Sequence, residues 1–131
     1  MATAPAAGGE WGHLYERYVS EMQQRVLDPI GMAATTFDMD AAQAEGNFAT
    51  PHSFTIEGSY APTPLDAERF VTAVAPAGAP WSTAQDMARY LITELNRGVA
   101  PDGTRVVSAE NLAVTWQPQV PVSAEASYGL G

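Results

Sequence analysis

The chain has 131 residues, 15 acidic against 6 basic side chains, and a formal net charge of −9. All six basic residues are arginines and there is no cysteine, so lysine-dependent mechanisms, disulfides and thiolate chemistry are excluded. The length suits one modest domain, and the acidic surface repels polyanions, so neither nucleic acid nor an anionic membrane is an expected partner.

The start, "MATAPAAGGE", carries no basic segment and no long apolar run. Residues 1–9 are expected to be a flexible lead-in, with residues 10–131 as the folded part. No signal peptide is read here, so the expectation is either the cytosol, as the default, or an export signal that lies outside this chain. No later stretch reads as a membrane span.

Trp11, Leu14, Tyr15, Tyr18, Val19, Met22 and Val26 recur at helical spacing. Asp28-Pro29 is expected to stop this first helix, because proline restricts the residue before it. Thr35–Phe37 is apolar and β-branched enough for a brief strand. Residues 38–75 hold Pro51, Gly58, Pro62 and Pro64 with little periodicity, and the expectation is a long irregular loop.

A second helix is expected from Ser82, with Gln85 at capping-box spacing and Asp86 in the first turn. Its apolar stripe is Met87, Tyr90, Leu91 and Leu95, widened by Ala84, Ala88 and Ile92. Arg97 and Gly98 stand where a terminal cation and a left-handed cap belong. Asp102-Gly103 marks a tight turn. Ser108 caps a third helix running to about Trp116. "SYGLG" has strand character but no evident pairing partner.

Nucleophilic serine needs a base and a local geometry to activate it. No Gly-x-Ser-x-Gly elbow occurs, and Ser82 at a helix start is read as a cap. His13 reads as a solvated helix residue and His52 as the partner of a loop hydrogen bond. The two are not at metal-ligand spacing. Asp38-Met39-Asp40 fails the calcium-loop pattern at Ala42 and Gln43, so no metal is expected. No cofactor cradle appears. Trp81 stands in a Gly/Pro-rich loop just before a helix, a place where pockets are often lined.

Four segments carry a resemblance. "VLDPIGMAATTF" (Val26–Phe37), "VAPAGAPWSTAQDMARYLITELNRG" (Val74–Gly98), "DGTRVVSAENL" and the terminal "YGLG" resemble, in order and spacing, segments of the serine β-lactamase-related hydrolases. This group includes class C β-lactamases, D-alanyl peptidases and esterases. The resemblance implies an acyl-serine hydrolase of two parts, one helical and one built on an antiparallel sheet. Its catalytic groups would come from Ser-x-x-Lys, Tyr-x-Asn and a late Lys-Thr-Gly or His-x-Gly. None of these occurs here, so no catalytic residue is assigned, and the chain resembles the middle of such an enzyme.

The fold expected from the resemblance is therefore mainly α, with long irregular loops and little β: a partial β-lactamase/transpeptidase-like fold without its central sheet. By the same resemblance Ala77, Gly78 and Trp81 would border a substrate cleft, although the family's paired glycines are Gly78-Ala79 here. The functional expectation is an inactive segment of an ester or amide hydrolase. The alternative is a binding or assembly module whose apolar helix faces meet a second copy or the missing remainder of the domain.

Overall fold

The structure is a computed structural model that describes residues 11–130. The expected lead-in at residues 1–9 lies outside the described residues, as does the side chain of Trp11. In order, the elements are α1 (Trp11–Met22), a π segment (Gln23–Leu27), α2 (Asp28–Ile30), α3 (Met39–Ala44), β1 (His52–Phe54) and β2 (Tyr60–Pro62). A 3-10 stretch (Leu65–Ala77), α4 (Ala84–Leu95), α5 (Ala109–Thr115), β3 (Val120–Pro121) and β4 (Ser127–Tyr128) follow. The described strands form two separate antiparallel pairs, β1–β2 and β3–β4. The fold is mainly helical, with little sheet.

The first helix does not stop at Asp28-Pro29. It widens into π winding over Gln23–Leu27, continues through Pro29, and ends at Gly31 in the left-handed region (φ 80°). A proline ring clashes with the carbonyl four residues earlier in a helix. The wider π turn immediately before Pro29 moves that carbonyl away, and the amides of Asp28 and Met32 bond five residues back, to Gln23 and Leu27.

The described residues divide into two compact units. One holds the residues up to Ser20 and Thr35–Ser82. Its small core contains Phe37, Met39, Ala75 and Ala79. Tyr18 meets Phe37 edge to face at 5.5 Å, and the Tyr15 hydroxyl donates to the Phe37 carbonyl at 3.0 Å. The expected strand at Thr35–Phe37 is reduced to one antiparallel bridge, Thr36 with Trp81.

The long loop expected over 38–75 is instead largely ordered. Asp38 accepts from the amides of Asp40 and Ala41 and so caps α3. β1 and β2 pair with His52 opposite Pro62, joined by a turn with Gly58 at φ 81°. This hairpin is exposed on both faces, so its sequence lacks the alternation that marks a half-buried strand. The 3-10 stretch breaks at Val74 (φ −120°, ψ 32°).

The other unit holds Glu21–Ala34 and the chain from Thr83 onward. Leu27, Ile30, Met32, Ala100 and Leu112 are buried in it, with two polar residues of α4, Asp86 and Thr93. The apolar stripe of α4 faces the other way. Met87, Leu91 and Leu95 are 42%, 55% and 82% exposed. The helix is amphipathic, as its spacing predicts, but the buried side is the polar one.

Thr83, not Ser82, caps α4. Its backbone is extended and its hydroxyl accepts from the Asp86 amide at 3.1 Å, while the Ser82 hydroxyl bonds to Thr35. At the C-terminus Gly98 is left-handed as expected (φ 85°), and the residue before it joins it. Arg97 takes the left-handed position (φ 54°), donating to Glu94, and Gly98 donates to Thr93, which is the Schellman pattern. Ser108 caps α5 as expected, accepting from the Asn111 amide. The terminal strand finds a partner after all: Ser127–Tyr128 pairs with Val120–Pro121. Pro118 and Pro121 hide β3 in the sequence, since proline is a poor strand former.

Gly98 is fixed twice over. Its φ is 85°, and a β-carbon there would lie 2.2 Å from the Val107 carbonyl oxygen. Gly98→Ala should therefore destabilise the protein by about 2 kcal/mol or more. Arg97→Gly, which relieves the left-handed side chain, should be neutral or stabilising by up to about 1 kcal/mol. Urea denaturation of both variants measures the contrast.

Candidate functional site

The segment Val74–Gly98 contributes to both units, and its two halves do different things. In the second half, Thr83, Asp86 and Arg89 form a local lock. The Asp86 carboxylate is 3% exposed. One oxygen accepts from the Ala34 amide at 2.8 Å, and the other lies 3.6 Å from the Arg89 guanidinium. Arg89 also donates to the Gly31 carbonyl. These residues hold α4 against the turn that follows α2. A buried carboxylate with such partners is structural, and it offers no open position to a substrate.

The first half lines an open cavity of about 490 Å³. Gly78 to Ser82 form one side, Ala49 to His52 another, and Glu68 and Val71 come from the 3-10 stretch. Position follows from local structure. The Thr36–Trp81 bridge, with amide–carbonyl distances of 2.9 and 2.7 Å, fixes the chain at Trp81. Thr35 is buried and its hydroxyl lies 2.8 Å from that of Ser82. Gly78 (φ 143°) ends the 3-10 stretch and turns the chain toward Trp81. Of the three residues that the resemblance assigns to a cleft border, Gly78 and Trp81 line this cavity. Ala77 precedes it and is not part of its lining.

Ser82, His52 and Glu68 all line the cavity. The Ser82 hydroxyl is bonded to Thr35. His52 Nδ1 stands 2.9 Å from the Thr50 carbonyl. His13 lies on α1, 3.6 Å from Glu16, and belongs to the exposed helix surface. Among the described residues no cluster of acids and histidines could hold a metal ion. No described helix is long and apolar enough to cross a membrane.

Glu68 and Thr50 were not singled out by sequence reasoning. They stand 18 positions apart, and neither belongs to a motif. Arg69, next to Glu68 in sequence, lies 2.6 Å from Asp40 through Nη2 and 2.8 Å from Asp66 through Nε. The hydrogen bond from Arg69 holds the Asp40 carboxyl below the usual carboxylate range, and the guanidinium's charge adds to this. The Asp38-Met39-Asp40 acids are thus explained as a helix cap and an ion-pair partner.

The family model described as Beta-lactamase matches residues 13–131. The structure of the octameric penicillin-binding protein homologue from Pyrococcus abyssi is similar, with a TM-score of 0.67 and 22% sequence identity. The likeness covers 86% of this chain and 24% of that one, so this chain spans about a quarter of that protein's length. At this identity the likeness speaks to the fold. No match was found among curated proteins.

Two measurements check the site's construction. Asp86→Ala strands the Ala34 amide and should cost about 2–4 kcal/mol in urea denaturation. Arg69→Gln should raise the Asp40 carboxyl toward the ordinary value of about 4 in an NMR pH titration. The sign is that of a depressed acid. Its pairing contributes in full above the unfolded-state pKa and is lost as pH falls through the lowered folded one.

Proposed function

The chain belongs to the β-lactamase family, and on that footing we propose that it is the cleft-bordering middle segment of a serine acyl-enzyme hydrolase, without turnover of its own. In the complete enzyme the reaction is hydrolysis of an ester or amide through an acyl-serine. Residues 10–131 supply part of that domain, with residues 1–9 as a lead-in, and Ala77, Gly78 and Trp81 border the substrate. The observation that carries this reading is the cavity that Gly78 and Trp81 share. The sequence supports the lack of turnover: 131 residues without lysine contain no Ser-x-x-Lys, and no tyrosine has asparagine two places later.

Incubation with nitrocefin and with a short p-nitrophenyl ester tests this. The expected result is hydrolysis no faster than in buffer, unchanged by Ser82→Ala. Turnover that depends on Ser82 would overturn it and make that serine a nucleophile.

A second reading, an assembly module, has its own observation in the open apolar face of α4. It gains some support from the Pyrococcus homologue, which is itself octameric. Under this reading the mass measured by light scattering rises with concentration, and a Leu91→Glu, Leu95→Glu double variant stays monomeric. A constant monomeric mass for the unaltered chain rules it out.

A further inference from the structure

The cavity has a charge character that the family relationship does not supply. Among the described residues Glu68 is the one carboxylate in its lining, and no arginine lines it. Among the described residues no cation pairs with Glu68. The guanidinium next to it in sequence, that of Arg69, is committed to Asp40 and Asp66. His52 turns Nδ1 to the Thr50 carbonyl at 2.9 Å, and since a carbonyl oxygen only accepts, that nitrogen is the donor. Thr50 and Ser82 add hydroxyls to the lining, and Val71, Ala79, Pro80 and Trp81 supply its apolar and aromatic part. Among the described residues a ligand that enters meets one carboxylate, hydroxyls, an imidazole and hydrocarbon, with no arginine beside them.

We propose that this cavity selects ligands that carry an ammonium group beside an apolar body, and disfavours carboxylates. The acyl or leaving group received at this border of the cleft is accordingly amine-bearing. An ammonium can lie against the Glu68 carboxylate and donate to it, while its hydrocarbon part covers the apolar wall. A carboxylate in the same place would face Glu68 without a compensating cation, which is repulsive at short range. The proposal rests on the cleft reading above and names its substrate class.

The test uses three probes with one shape: benzylammonium, benzyl alcohol and benzoate. Each is titrated into the full chain at about pH 7.5, above the ordinary histidine range. Binding is followed in amide correlation spectra at the Trp81 indole and at the Thr50 and Gly78 amides. Benzylammonium is expected to half-saturate these shifts at a concentration about fivefold lower than benzyl alcohol, the scale of a partly solvated charge pair. Benzoate is expected to be the weakest. In Glu68→Gln the ammonium and the alcohol should converge to within about twofold, with the spectrum itself reporting that the variant is folded. Benzoate binding as tightly as benzylammonium overturns the proposal, as does an ammonium preference that survives Glu68→Gln. Either of those results leaves the cleft reading intact. If none of the three probes moves Trp81, Thr50 or Gly78, the cleft reading fails and this proposal fails with it.

Discussion

A carboxylate taken out of water must be met by donors, and Asp86 is the place where this chain meets that requirement. Its two oxygens face the Ala34 amide and the Arg89 guanidinium, and its own amide is held by Thr83. Burying an ion without such partners would cost several kcal/mol, a large share of the stability of a domain this size. The unit that contains α4 is arranged around satisfying it. The turn that begins at Gly31, in a left-handed conformation only glycine adopts freely, presents the Ala34 amide. Arg89, one turn further along α4, reaches the same turn at the Gly31 carbonyl. The Ser-Thr-Ala-x-Asp-Met-Ala-Arg pattern is thus a folding device: cap, buried acid and tether at helical spacing.

That requirement also explains why α4 is turned as it is. Asp86 and Thr93 stand seven residues apart, on one side of a helix with 3.6 residues per turn. Directing that side inward leaves Met87, Leu91 and Leu95 on the solvent side. Hydrophobic burial is usually the largest favourable term, at about 25 cal/mol per Å². Its direction on α4 is set here by the satisfied polar lock. The open stripe is the physical basis of the assembly reading, and the family relationship offers a source for it in a fold of which this chain matches only a part.

The other unit is organised by lighter constraints. One backbone bridge at Thr36 and Trp81, one hydroxyl pair at Thr35 and Ser82, and the left-handed Gly78 fix the wall of the cavity. The Ser82 hydroxyl is bonded to that of Thr35, and His52 Nδ1 to the Thr50 carbonyl. On the reading proposed above, such a wall recognises a ligand by shape and charge.

The sequence by itself determined the helices that begin near Trp11, Thr83 and Ser108, the family and the lack of the family's catalytic motifs. Helical periodicity, Ser108 as a cap and Asp102-Gly103 as a turn are local signals, carried by residues within a few positions of one another. The tertiary structure alone decided which way α4 faces, that Thr83 is its cap while Ser82 serves Thr35, and that Pro29 lies inside a widened helix. It also revealed the exposed hairpin at 52–62 and the strand pair at 120–128, neither of which has a buried face to imprint alternation on its sequence. The cavity belongs to this second group. Thr50, His52, Glu68, Gly78 and Trp81 are scattered over more than thirty positions, and only folding brings them to one wall. Nothing in their spacing records it, because contacts between distant segments place no periodic demand on the residues that make them.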